Sequence, residues 1–133
     1  MILGAVMDEI ADTLDTIEGL RVKGYDADEI QVPAAIVSLP TLLNYQRAYE
    51  RGTDSLTLMV IVLVAATSDR KRRDMITPYA DGKGPKSIKE VLERGNYNAC
   101  SSVTVQNGAF RFYTYNSIKY LGIAFTVAVI GEG

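Results

Sequence analysis

The run Leu58 to Ala66, LMVIVLVAA, is nine apolar residues long and is bounded by Thr57 on one side and by Thr67, Ser68 and Asp69 on the other. It is rich in β-branched types, which predicts a strand buried on both faces. A membrane-spanning helix needs about 20 such residues, so the run is read as the central strand of a soluble domain, extending from Asp54 to Ala66. A strand covered on both sides demands layers around it. With 133 residues the chain has the size of one domain, residues 1–133, large enough to bury about two thirds of the surface its unfolded form exposes.

Composition excludes several kinds of chemistry. The chain contains a single cysteine, Cys100, and no histidine. An internal disulfide is therefore impossible, the ordinary zinc sites lack their ligands, and neither Ser/His/Asp nor Cys/His nucleophile systems can be built. Cys100 is expected to be a small core residue in a reducing compartment. The segment MILGAVMDEIADTL has neither a basic region nor an adequate apolar stretch, so no signal peptide is expected. Charge is uneven along the chain: residues 1–68 hold four basic and ten acidic side chains, and residues 69–133 hold ten basic and six acidic. Such asymmetry suits copies that meet head to tail, acidic surface to basic surface, and equally suits ordinary solvated charge.

Taken in order, the residues Val6, Ile10, Leu14 and Ile17 recur at helical spacing and predict an amphipathic helix over residues 2–18 with Gly19 as its C-terminal cap. Its outward face, with Asp8, Glu9, Asp12, Asp15 and Glu18, is purely acidic, because no Lys or Arg precedes Arg21. That face either stays in water or meets a partner, and it repels nucleic-acid phosphates. Leu20–Val22 and Val32–Ser38 read as short strands, with Pro33 marking an edge or a strand entry. In the mixed segment 40–52, Tyr45, Arg47, Tyr49 and Arg51 alternate as on one face of a strand, which fits either a contact surface or an amphipathic edge.

After the central strand a helix is expected from Ser68 or Asp69 to about Tyr79, with Met75, Ile76 and Tyr79 apolar and Pro78 kinking or ending it. Arg70, Lys71, Arg72 and Arg73 crowd its first turn, where each exposed cation opposes the helix dipole by about 0.3–1 kcal/mol. The cluster is read as an intersubunit or partner contact, against a solvated face or a phosphate site. A turn-rich stretch, ADGKGP, lacks the spacing of a phosphate-binding loop. Ser87 and Glu90 then form a capping box for a short helix that Gly95 ends. The remainder is β: Cys100–Gln106, a hairpin at Asn107-Gly108, Ala109–Tyr115 with Phe110 and Phe112 entering the core, a turn at Asn116-Ser117, and a last strand Ile118–Ile130. The resulting fold class is α+β, a mostly antiparallel sheet packed against an N-terminal helix and one or two further helices.

No catalytic constellation emerges. Carboxylate pairs such as Asp8 and Asp12 occur on nearly every acidic helix, and the aromatic and basic interleaving of FRFYTY is a weak base-stacking signal in an acidic chain. No catalytic, cofactor-binding or metal-ligating residue is assigned, and the chain is expected not to be an enzyme.

The acidic leading helix, the apolar strand running into SDRKRRD, the segment GKGPKSIKEVLERG and the closing NSIKYLGIAFTVAVIGEG together resemble the tail terminator proteins of long-tailed bacteriophages. The likeness is greatest to the small terminators of actinobacterial phages, and it is strongest over Ser55–Arg94 and Tyr120–Ile130. It implies a structural virion protein that forms a hexameric ring at the head-proximal end of the tail tube. Such a ring ends tail polymerisation and joins the tail to the head connector. The implied partners are further copies of the chain, the tail tube protein and a head-tail connector protein. Genome DNA passes through the lumen without specific binding, and no membrane is involved. The implied location is the virion tail, with assembly in the host cytoplasm. Interface candidates are Arg70, Lys71, Arg73, Asp8, Asp12, Asp15, Tyr45, Arg47 and Tyr49. A head-tail stopper or tube subunit is the nearest alternative, although 25–31 and 43–52 are short for the long loop of a tube subunit; a small ligand-binding or enzymatic α+β domain is a more distant one.

Overall fold

The computed structural model describes residues 2–24, 33–40, 42–44, 53–64, 69–115 and 118–132. In chain order these form α1 (Leu3–Leu14), β1 (Arg21–Gly24), β2 (Ala34–Val37), β3 (Leu42–Asn44), β4 (Thr53–Val64), α2 (Asp69–Ala80), α3 (Ile88–Arg94), β5 (Ser102–Tyr115) and β6 (Ile118–Glu132). The predicted α+β architecture is present: a mostly antiparallel sheet ordered β1-β2-β4-β6-β5, with three helices among the described residues. Within it β1 and β2 pair in parallel, the other pairs are antiparallel, and short β3 continues along the same edge of β4 that β2 occupies.

The sheet is held together by an unbroken antiparallel register between β4 and β6, from Thr53 opposite Glu132 to Val64 opposite Leu121. Directly opposed residues share a face. One face therefore collects Leu56, Leu58, Val60, Val62 and Val64 from β4 with Ile123, Phe125, Val127 and Val129 from β6, all in one core cluster. Val6, Ile10, Leu14 and Ile17 of the N-terminal segment, Ile76 and Tyr79 of α2, and Ile88 and Leu92 of α3 close over this face. The other face carries a smaller cluster of Ile36, Leu63 and Tyr120, joined by partly buried Ile61 and Tyr113. The apolar run is thus covered on both sides, as its composition requires, but more deeply on the helical side, since Met59 and Ile61 are only half-buried.

Between β2 and β3 the register along β4 is interrupted: Val37 stands opposite Val60 and Leu42 opposite Thr57. Ser38 repairs the ladder at its start. Its N–H donates to the Met59 carbonyl, and its Oγ both donates to that carbonyl at 2.8 Å and accepts from the Met59 N–H at 3.2 Å.

Several local expectations change. The first helix stops at Leu14 rather than near residue 18: Thr13 Oγ donates to the Glu9 carbonyl at 2.7 Å, and tight turns from Thr16 to Thr13 and from Ile17 to Leu14 follow. Gly19, with φ of +82°, reverses the chain after those turns instead of capping the helix. β1 and β2 are displaced from the expected bounds, to Arg21–Gly24 and Ala34–Val37. Pro78 does not end α2, which continues to Ala80 with Asp81 N–H bonded to the Thr77 carbonyl, because the proline sits in the last turn where little ladder remains to be lost. On α2, Ile76 and Tyr79 are buried as expected, whereas Met75 is exposed.

The largest correction concerns Asn107-Gly108, which is no hairpin. β5 runs straight through it, and Gln106 is an extra residue between Val105 opposite Val127 and Asn107 opposite Thr126. This bulge switches the strand's parity. Val103 and Val105 face the helices before it; Gly108, Phe110 and Phe112 face that side after it, opposite Phe125, Ile123 and Leu121. Phe110 and Phe112 thus lie on the expected face but do not enter the core, being 55% and 53% exposed. The expected turn at 116–117 lies outside the described residues, as do most of 40–52 and all of 25–31.

Deleting Gln106 is expected to remove the bulge and keep Phe110 and Phe112 on the helical side, because Val105 opposite Val127 then runs directly into Asn107 opposite Thr126, and to cost less stability than Leu58→Ala, which loses about 2–5 kcal/mol with its core volume. Circular dichroism melts of the two variants compare these effects; a deletion variant less stable than Leu58→Ala contradicts the register.

Candidate functional site

Asp8, Asp12 and Asp15 project from α1 and its C-terminal cap within an arc of about 60° at 100° per residue, and all three are exposed. Among the described residues none of them makes an ion pair. α1 packs on α3, β1 and β2 through Val6, Ile10 and Leu14, and the stripe lies on the opposite, outer face of the helix. The structure therefore brings these three predicted residues together as one solvent-facing acidic line.

Glu9 departs from the expected outward face. Its carboxylate accepts from the backbone N–H groups of Asn98 and Ala99 at 2.7–3.1 Å, fastening the segment before β5 to α1. The signal for this is its position: three residues after Val6 and one before Ile10, it borders the apolar arc rather than opposing it.

α3 carries a second set of fastened carboxylates. Ser87 accepts from the Glu90 N–H at 3.1 Å, as a capping box predicts, but the Glu90 carboxylate reaches the Gly84 N–H instead of returning to Ser87. Glu90 also pairs with Arg94, and Glu93 pairs with Lys89 at 2.6 Å while accepting the Val105 N–H at 3.0 Å. The Gly84 N–H, with help from Arg94 and Lys83, holds the Glu90 carboxyl below its ordinary range; the Lys89 hydrogen bond and then the Val105 N–H do the same for Glu93. Gly95 ends α3 with φ −65° and ψ 151°, so its role is close approach rather than a left-handed cap: a Cβ there would meet Tyr97 Oη at 2.7 Å. That phenol donates to the Leu92 carbonyl at 2.6 Å, and burial pushes its pKa up to about 12.

Two open clefts flank α1. One lies between Asp12, Thr13 and Thr16 and the α3 residues Val91 and Arg94; the other is lined by Ile2, Ala5, Glu9, Ala99 and Cys100. Cys100 is buried as expected, and burial raises its thiol pKa, which makes it a poor nucleophile. Among the described residues no group of three or more His, Cys, Asp or Glu stands together as a metal site, and no helix is long and apolar enough to cross a membrane.

Of the basic cluster, Arg73 is exposed and stands 3.8 Å from its neighbour Asp74, a contact worth little in water. Arg70 and Lys71 are described only as backbone of α2, which packs on β4, β6 and α3. Tyr45, Arg47 and Tyr49 lie outside the described residues. Sequence reasoning misses the exposed pair Phe110 and Phe112, next to which Lys119 Nζ sits 4.5 Å from the Phe112 ring centroid. The Asn-Gly step is the signal that misleads, because it sits beside a bulge rather than in a turn.

No protein-family model matches the chain. No curated protein matches it either.

The two α3 carboxylates set an acid limit. Their folded-state pKa values lie below the unfolded ones, so their stabilisation is complete above the unfolded glutamate range and disappears as pH falls through the folded values, below about pH 4. Melting temperatures measured from pH 6 to pH 3 should fall less steeply for Glu90→Gln combined with Glu93→Gln than for wild type. Parallel slopes contradict this origin.

Proposed function

We propose that the protein is a structural subunit of a phage tail terminator, which closes into a ring, hexameric in the family it resembles, at the head-proximal end of the tail tube. The observation that supports this most is the order of elements. An acidic leading helix, a long central strand, a helix with a basic first turn, a capped short helix and a long closing strand follow one another as α1, β4, α2, α3 and β6. That order and its local wording carry the resemblance to terminators.

A second observation agrees with it. A ring built from one kind of subunit needs two unlike surfaces on each copy. The acidic line on α1 is one such surface, and the cations of α2 and of β5–β6 supply charge of opposite sign elsewhere. In this reading the ring's neighbours along the tail axis are the tube protein and a connector protein, and DNA crosses the lumen unread, repelled rather than gripped by carboxylates. The work of such a protein is assembly in the host cytoplasm and service in the virion tail.

Adding the purified protein to polymerising tube protein of its own phage tests the reading. Electron micrographs should show tubes of arrested growth carrying a ring at one end. Tubes that grow unchanged and uncapped contradict it, and incorporation of the protein along the whole tube favours a tube subunit instead.

A further inference from the structure

β5 is an edge strand, because among the described residues the sheet order leaves nothing beyond it. Its first half is guarded: α3 packs against it, and Glu93 occupies the N–H of Val105. Beyond the bulge the guard ends. From Gln106 to Phe112 every residue is exposed, on both faces of the strand, while the opposed β6 residues Phe125, Ala124 and Ile123 are buried, so this part of β5, with exposed Lys119 of β6 beside it, is an arm at the edge of the core. Phe110 and Phe112 point to the side on which the helices lie and continue the apolar surface of Ile123 and Leu121 into solvent. Two large aromatic rings, each more than half exposed on one short edge, are a costly surface for an isolated domain and a common kind of anchor in protein interfaces.

The arm is also electropositive. Residues 96–131 contain Arg111 and Lys119 and no acidic side chain, whereas residues 3–19 contain five acidic side chains and no basic one. Lys119 lies over the Phe112 ring, so cation and aromatic surface coincide. The acidic line Asp8, Asp12 and Asp15 lies on the outer face of α1, opposite Val6, Ile10 and Leu14, and the arm lies on the β5 edge of the sheet, so the two are distinct surfaces of the domain. A complementary pair of distinct surfaces is satisfied most simply between copies, and the contact it makes is head to tail.

We infer that the β5–β6 arm, through Phe110, Phe112 and Lys119, docks on the acidic face of α1 of a second copy of this chain. The inference deepens the ring reading and rests on it for its biological setting; it names the two surfaces that meet. Exposed aromatic anchors bury against the neighbour's helix, while the opposed charges set orientation and speed of encounter.

Sedimentation velocity on the full-length protein and two variants tests it. Phe110→Ser with Phe112→Ser leaves the acidic face intact, and Asp8→Lys with Asp12→Lys leaves the arm intact; all four positions are exposed, and circular dichroism checks that both variants fold. Wild type should assemble, and each variant alone should associate about 30-fold more weakly or worse. An equimolar mixture of the two should recover a one-to-one complex that grows no further, since one good arm meets one good helix and the remaining surfaces are both damaged. Variants that assemble like wild type, or a mixture that gives no complex, overturn the docking. If variants assemble normally and the rings still cap tubes, the terminator reading survives without this interface. If the mixture behaves as expected and wild-type rings never cap a tube, the interface stands and the terminator reading falls.

Discussion

Pairing of β4 with β6 is the constraint on which the rest of the molecule depends. Twelve consecutive opposed pairs fix which side chains share a face, and a slip of one residue would exchange the two faces throughout. With the observed register, Leu56, Leu58, Val60, Val62 and Val64 meet Val129, Val127, Phe125, Ile123 and Leu121, and this apolar face dictates where three amphipathic helices settle. Each helix contributes a narrow set of contacts, Val6, Ile10 and Leu14 from α1, Ile76 and Tyr79 from α2, Ile88 and Leu92 from α3, so the outer faces remain free to carry charge. The carboxylates of Glu9 and Glu93 then tie the helical layer to β5 and to the segment before it through backbone N–H groups that the sheet does not satisfy.

Much of this is legible in the sequence because it follows from periodicity. The run Leu58–Ala66 marks the strand covered on both sides, the four-residue spacing of Val6, Ile10 and Leu14 marks α1, and Ser87 with Glu90 marks the start of α3. What escapes depends on long-range register. Asn-Gly is a strong local turn signal, but Asn107 and Gly108 are held in β5 by partners on β6, and an extended pair of strands outweighs a local preference. Alternation alone assigns Phe110 and Phe112 to the core side correctly and cannot tell that the helices stop short of them. Glu9 illustrates the same limit, since its partners are 89 and 90 residues away.

The candidate interface residues divide in the same manner. Asp8, Asp12 and Asp15 form one line by helical geometry, which spacing reveals. The aromatic arm arises from a bulge, a strand edge and the end of a helical layer acting together, and no one of them is visible in composition. An acidic line on the outer face of α1 and a basic aromatic arm on the β5 edge give the domain two unlike surfaces. That polarity is the property a closed ring of identical copies uses.

Cross-linking tests this polarity most directly. With Cys100 buried, single cysteines introduced as Asp12→Cys and as Thr114→Cys, beside the aromatic pair on the same face of β5, are the accessible thiols of two otherwise identical proteins. Under mild oxidation the account predicts a disulfide-linked dimer in the mixture of the two and little in either alone. Links between two Thr114→Cys copies, or none in the mixture, would contradict head-to-tail assembly.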